Sequence, residues 1–263
     1  MLKTPQATVF SLPVGRGHVL YRPLALHGDL NTGYLDFRGV RLHLECPGSV
    51  PVPRDADLAS LAALSSPSAP PVAGLEVLDT HCGAGAYTMA LLLAGAARVT
   101  AVDEEPECLT ATEANVRANG LPARLLETAP SLDAVRDRSS PENGGFDLIV
   151  HHPPVGAPGR GLPFGRLTGL LAPGGTLLAT VSSLDEPGSV LTAAEDSGLH
   201  GRVLERCVLD VPSPGTNGLR SPTPEIETDK AVMEFEAYED AAGGRGRRKR
   251  GHGFGPAGGG DRH

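Results

Sequence analysis

The chain has no tryptophan and only 4 tyrosines and 6 phenylalanines in 263 residues, so it is poorly equipped to stack nucleic-acid bases on aromatic platforms. Cysteine is scarce as well. Cys46, Cys82, Cys108 and Cys207 include no CxxC pair, which excludes the usual zinc spacings and a disulfide framework. They read as the reduced thiols of a cytoplasmic protein. No apolar run approaches the roughly 20 residues that span a bilayer, and the leading MLKTPQATVF lacks the apolar centre of an export signal. A soluble, cytoplasmic protein without a membrane partner is expected. Excess positive charge is missing too, because 23 Lys+Arg face 31 Asp+Glu for a net charge of −8. Arg245, Arg247, Arg248, Lys249, Arg250 and Arg262 crowd the carboxyl terminus, so the body is more acidic than the total suggests. That balance argues against a long nucleic-acid backbone as partner.

What is present is regular alternation. Residues 9–46 carry short strand-like pieces broken by Gly and Pro, and Val40-Arg41-Leu42-His43-Leu44 alternates as a half-buried strand does. This segment reads as a small β preamble, not an independent domain. Leu58, Leu61 and Leu64 then fall three apart on a short helix, and SSPSAPPVAG (65–74) is a Pro/Ser linker. From residue 75, strands are expected at 75–79, 97–103, 123–128, 146–150 and 175–183 with helices between several of them, the signature of a parallel sheet covered on both faces. The helix at 106–119 opens on Pro106 with Glu104 and Glu105 at its positive end and closes on Asn119-Gly120. Its Leu109, Thr112 and Val116 should face the sheet. A period-two strand at 231–238 is expected to pair antiparallel with 205–211. The division is therefore an N-terminal β-hairpin and short-helix extension (1–64), a linker (65–74), a cofactor domain (75–240) and a disordered Gly/Arg tail (241–263).

The richest stretch is Leu75 to Gly85, LEVLDTHCGAG. A strand ends on Asp79, a turn with Gly83 and Gly85 follows, then a helix, and a second strand ends on Asp103. The turn has no GxGxxG, so a dinucleotide pyrophosphate is not its natural ligand. An acid at the end of the first strand suits a cofactor with a positive charge or an amino group there, and S-adenosylmethionine (SAM) carries a sulfonium, an α-ammonium and a ribose. Asp79 is placed to hold the ammonium, directly or through water. Gly83 and Gly85 let the backbone pass close to the adenosine. Asp103 is placed to accept the ribose hydroxyls, with Glu104 beside it.

VLDTHCGAG and ARVTAVDEEPECLTATEANVRANGL resemble motifs I and II of class I SAM-dependent methyltransferases, over roughly residues 75–183. The resemblance implies an α/β, Rossmann-like class I methyltransferase fold: a mostly parallel seven-stranded sheet with an antiparallel last strand. His81 departs from the family, which usually has Gly at this position, and three readings stand: it narrows the methionine pocket, touches substrate, or points into a gap without a role. After the fourth strand the chain reads His151-His152-Pro153-Pro154-Val155, where N-methyltransferases carry Asn or Asp, Pro-Pro and an aromatic residue. Prolines hold such a backbone extended so that its acceptors point at the nitrogen being methylated. Pro47 to Arg54 and the Ala172-Pro173-Gly174-Gly175 turn are similar to segments of HemK-type protein glutamine methyltransferases, which methylate a glutamine amide of release factors. His152 in place of Asn and Val155 in place of Tyr imply a changed substrate.

A neutral imidazole offers one donor and one acceptor and titrates near neutrality, so His152 suits a substrate that must lose a proton. The expected catalytic residues are His152 and Pro153, the expected substrate contacts His152, Pro154, Val155 and Arg54, and no metal is expected. His151 should face away from His152, as neighbours in extended backbone do. The function expected is methyl transfer to a polar heteroatom, foremost nitrogen, on an amino-acid-like group of a small molecule, peptide or protein. Two alternatives stand beside it: attack on another carbon of the sulfonium (aminocarboxypropyl transfer or ring closure), and a SAM-binding partner subunit without catalysis.

Overall fold

The computed structural model describes residues 10–14, 17–27, 30–53, 61–65, 69–139, 144–152, 163–182, 187–210 and 227–237, with backbone alone in parts of the outer strands. Two sheets are built from them. The first is antiparallel, in the order β1 (Phe10–Val14), β2 (Gly17–His27), β3 (Leu30–Phe37) and β4 (Val40–Pro47). The second has seven strands: β5 (Glu76–Thr80), β6 (Arg98–Val102), β7 (Leu126–Ala129), β8 (Phe146–His151), β9 (Leu171–Ser182), β10 (Leu199–Asp210) and β11 (Glu227–Ala237). Their spatial order is β10-β11-β9-β8-β5-β6-β7. Strands β5 to β9 run parallel, and β11 is antiparallel to both of its neighbours.

This is the Rossmann-like methyltransferase fold expected from the sequence. The chain lays β6 and β7 down on one side of β5, then crosses to place β8 and β9 on the other. Strand order therefore reverses between β5 and β8, and in open α/β sheets ligands lie at the carboxyl ends of the strands at such a point. Thr80 is in register with His151 across this boundary.

Between the strands lie helices α1 (Ala86–Leu93), α2 (Pro106–Ala118), α3 (Phe164–Thr168) and α4 (Pro187–Asp196). Seven of the eight residues of α1 are buried, because it is apolar nearly all round and shares one core cluster with side chains of both sheets. Helix α2 starts on Pro106 with Glu107 in its first turn and ends with Arg117, the polarity that suits the helix dipole. Its buried residues are Cys108, Ala111, Thr112, Asn115 and Val116. Leu109 is only half-buried, a correction to the expected face. The packed stripe runs one residue earlier because strand β4 covers that side, and β4 was not part of the sheet α2 was expected to meet.

The preamble shares the core of the main domain. Leu35, Phe37, Leu42 and Leu44 are each at most 2% exposed and belong to one cluster with Leu61, Leu64, Tyr87, Met89 and Val99. Each large apolar side chain buried this way contributes roughly 1.5–3 kcal/mol, and four of them approach the net stability of a typical domain. Among the described residues no helix is long and apolar enough to cross a membrane. The tail at 241–263 lies outside the described residues.

Candidate active site

The carboxyl end of β5 is apolar up to Leu78, and Asp79 follows with no exposed surface at all. A carboxylate so placed must be met by donors. The Thr88 hydroxyl donates to Oδ2 at 2.6 Å, and Nε2 of His152 lies 2.9 Å from Oδ1, the N–H of the ring donating to the carboxylate. Thr88 sits in the first turn of α1, where side chains lean back toward the helix start and so toward the strand end. His152 is 6% exposed, and its ring stacks on Tyr87 of the same helix turn, with centroids 4.0 Å apart and planes 21° apart. Asp79, Thr88, Tyr87 and His152 thus form one buried unit at the switch point.

His151, one residue earlier, is turned elsewhere. Its Nδ1 lies 2.8 Å from the Thr80 hydroxyl, which also donates to the Val150 carbonyl at 3.2 Å. The roles close when Nδ1–H donates to the threonine oxygen. Burial pulls the His151 pKa down to about 3, helped by His81 and His152, so this ring is neutral at pH 7. His81 meets it edge-on at 5.3 Å. His81 is exposed on one side of the turn, but it packs closely enough on the other for burial, and then His152, to lower its pKa as well.

The turn from 81 to 85 is held by backbone geometry. His81 has φ +58°, the left-handed region that glycine occupies without strain and other residues seldom enter, although His is among the more tolerant. The family's glycine therefore has a backbone reason here, and the imidazole keeps the conformation. Gly85 has φ +84°, and a Cβ built on it would meet Thr112 at 2.9–3.0 Å, backbone included, so no larger residue fits. Gly83 has φ +55° with nothing nearer than Pro51 at 3.7 Å. Its N–H donates to Oδ2 of Asp103 at 2.9 Å, and the Glu105 N–H donates to Oδ1 at 3.0 Å. Asp103 is half-buried, and each of its oxygens can accept another bond. Glu104 is exposed beside it. Helix α2 braces the turn: Thr112 donates to the Gly83 carbonyl at 3.0 Å, and its hydroxyl lies 3.4 Å from the Cys82 sulfur. Burial pushes the Cys82 thiol up, while Cys46 and Cys108 rise to about 12 for the same cause, so all three stay protonated and inert.

The structure thus brings Asp79, His81, Gly83, Gly85, Asp103, Glu104 and His152 to the carboxyl ends of β5, β6 and β8. Pro153, Pro154, Val155 and Arg54 lie outside the described residues. Among the described residues no group of three or more His, Cys, Asp or Glu is placed to hold a metal ion. The glycine turn and Asp103 fit a nucleoside: a close backbone approach, and a carboxylate with spare acceptor capacity at the end of the second strand. Asp79 fits an exposed ammonium less directly, since it has no exposed surface and its oxygens face Thr88 and His152. Thr88 and Tyr87 escaped the sequence reading. The signal was present in Ala86-Tyr87-Thr88, the first turn of a helix that starts just beyond the acid it must satisfy.

Comparisons of the chain with known proteins point to methyltransferases. Residues 59–151 match the family model described as "Ribosomal protein L11 methyltransferase (PrmA)". A ribosomal protein L11 methyltransferase of Pseudomonas aeruginosa PAO1 is 36% identical over 124 residues, covering 47% of this chain and 38% of that protein. One from Geobacter sp. M21 is 33% identical over 102 residues, 39% of this chain and 30% of that protein. The chain thus spans only about a third of the length of these curated relatives. Among solved structures, the T. thermophilus 16S rRNA N2 methyltransferase RsmC, in complex with AdoMet and guanosine, superposes with a TM-score of 0.58 at 21% identity, over 88% of this chain and 58% of that one. The fold is shared. The sequence match falls on L11-type methyltransferases, a branch other than the glutamine-methylating one that the PP motif resembles.

Proposed function

We propose that this chain is a SAM-dependent methyltransferase that methylates an amine nitrogen of a protein or peptide, with His152 as the base that frees the nitrogen lone pair. One observation carries this reading. The His152 ring at the end of β8 is fixed by a 2.9 Å hydrogen bond to buried Asp79 and by stacking on Tyr87. With Nε2–H donating to Asp79, the neutral ring presents Nδ1 as its acceptor, an arrangement in which a carboxylate sets tautomer and orientation. Asp79 then acts as a positioning residue, and it reaches the ammonium of the cofactor only if His152 moves or a water intervenes. Gly83, Gly85 and Asp103 hold the nucleoside, with Glu104 at its edge.

SAM supplies an electrophilic methyl on a sulfonium. The chain's own residues must orient the amine and take its proton: Nδ1 of His152 accepts one proton from the substrate ammonium, and the nitrogen pair so released forms the new N–CH₃ bond as the S–CH₃ bond breaks. A base is needed for an amine, which is protonated at pH 7, and is of little use to a carboxamide, which has no basic nitrogen. His152 thus favours an amine over the glutamine amide of the HemK-type branch. The names of the curated relatives favour a protein as the molecule that carries it.

The test is incubation with SAM and candidate proteins, followed by mass spectrometry of protein and by-product. S-adenosylhomocysteine (SAH) together with a methylated amine is expected. His152→Asn should lower kcat about 100-fold or more, the range typical for losing a general base, while SAH affinity stays within threefold. Full activity in that variant would remove His152 from the chemistry. Methylthioadenosine as by-product would point to attack on another carbon, and intact binding with neither product to a partner subunit.

A further inference from the structure

Strand β4 is an edge of the first sheet, and an edge strand presents N–H and C=O groups that need partners. Among the described residues no strand supplies them. The side chains of Asn115 in helix α2 and of Asn119 at its carboxyl-terminal cap do so in place of a strand. The His43 N–H donates to Oδ1 of Asn119 at 2.7 Å, and Nδ2 of Asn119 donates back to the His43 carbonyl at 2.7 Å. The Glu45 N–H donates to Oδ1 of Asn115 at 2.9 Å, and Nδ2 of Asn115 donates back to the Glu45 carbonyl at 2.8 Å. Each carboxamide imitates a peptide group. The spacing matches, since four residues of helix rise about 6 Å and two residues of strand about 7 Å.

The two asparagines differ in what else they hold. Asn115 is 1% exposed, and its Nδ2 also donates to the Ala84 carbonyl at 2.8 Å, inside the cofactor turn. The same peptide group is tied at its other end, where the Gly85 N–H donates to the Cys82 carbonyl at 2.8 Å. The orientation of the 84–85 peptide, beside a glycine that admits no Cβ, is therefore fixed through a side chain that also grips β4. Asn119 holds β4, and its Nδ2 also donates to the Asn115 carbonyl at 2.8 Å and lies 3.2 Å from the Met89 sulfur, with no bond to the turn.

We infer that Asn115 couples the docking of the N-terminal sheet to the shape of the cofactor turn, so that cofactor binding tightens strand β4 and a loosened β4 weakens cofactor binding. Such coupling is reciprocal by thermodynamic necessity. It gives the sheet a role in binding that the main domain does not have alone, and it rests on the reading that the turn holds SAM. Asn115 is a positioning residue here, and it touches neither substrate nor cofactor.

The test uses the full chain, SAH as ligand, calorimetry for affinity, and hydrogen exchange of the 40–47 segment. In the wild type, SAH should slow exchange of that segment at least fivefold. Asn119→Ala should speed its exchange and, with Asn115 still in place, weaken SAH no more than about threefold. Asn115→Ala should weaken SAH about tenfold and abolish the protection that SAH gives to 40–47. Equal SAH affinity in the two variants, or full protection in Asn115→Ala, overturns the proposal. Should Asn115→Ala fail to fold, the wild-type exchange with and without SAH decides by itself. SAH binding with unchanged exchange overturns the coupling alone, whereas no SAH binding overturns the cofactor reading and the coupling with it.

Discussion

Asp79 and Asp103 end adjacent parallel strands of one sheet, and their surroundings divide the labour between them. Asp79 has no exposed surface, and its partners are side chains, Thr88 and His152. Asp103 is half-buried, and the backbone N–H groups of Gly83 and Glu105 donate to it, with the Cys108 thiol beside it. A sealed carboxylate serves the protein's interior, fixing a histidine and a helix start against a strand. One that faces the cleft and is held by backbone keeps acceptor capacity for a ligand. Position on the strands is nearly equivalent, and depth separates them.

Substituting each acid in turn is the strongest way to break this contrast. Asp79→Ala removes the acceptor of both the Thr88 hydroxyl and the His152 ring in a dry site. It should cost about 3 kcal/mol of folding stability, since each stranded buried donor costs roughly 1–3 kcal/mol. Asp103→Ala loses two bonds that water can replace, and should cost less than about 1 kcal/mol. SAH affinity should instead fall about 30- to 100-fold, equivalent to roughly 2–3 kcal/mol. Urea unfolding and calorimetry on both variants read this out. A stability loss at Asp103 larger than at Asp79 would reverse the assignment.

The same difference in depth separates the adjacent histidines from ordinary surface imidazoles and gives stability a pH dependence. Burial holds the His151 pKa at about 3 against 6.5 in an unfolded chain. Between those values the unfolded state takes up a proton that the folded state refuses, so stability is fully present above about pH 6.5 and is lost as pH falls. The contribution reaches roughly 1.4 kcal/mol per pH unit, or about 2 kcal/mol between pH 7 and pH 5. His151→Gln keeps a donor for Thr80 and cannot titrate. Its urea midpoint should change less than the wild type's over that interval, and His81, whose pKa is also lowered, accounts for a smaller remainder of the same sign. An equal acid dependence in His151→Gln would show that the ring is not held neutral.

The order of elements was legible because hydrophobic period and turn residues agree along most of the chain. Strands β5, β6 and β8 fall within a residue of their expected limits. The third strand of the domain begins later than 123, because Pro122 starts a short 3₁₀ turn at Ala123–Leu125 before the ladder forms at Leu126. Asp79 and Asp103 were legible for the same reason: an acid that terminates an apolar run stands at a strand end whatever the tertiary detail. Thr88, Tyr87 and Asn115 were not. Their parts depend on the rotation of a helix relative to a strand far away in sequence, which one-dimensional spacing does not fix. Asn115 in particular reads as a helix-weakening polar residue until the open edge of β4 is placed beside it.

The smallest effect is expected at His81, where two influences nearly cancel. A left-handed residue with a side chain costs roughly 1–2 kcal/mol relative to the right-handed form, and glycine escapes that cost but gives up about 0.4–1 kcal/mol through its freer unfolded chain. Loss of the edge-on contact with His151 takes back a few tenths more. His81→Gly should therefore stabilise the fold by only about 0.5 kcal/mol. His81→Ala keeps the φ of +58° and loses the contact, so it should destabilise by about 0.5 kcal/mol. The difference of about 1 kcal/mol between the two variants, read from their urea midpoints, isolates the backbone contribution from the ring. If alanine is as well tolerated as glycine, the turn has relaxed out of the left-handed region, and His81 then owes its place to what its ring does in the cleft.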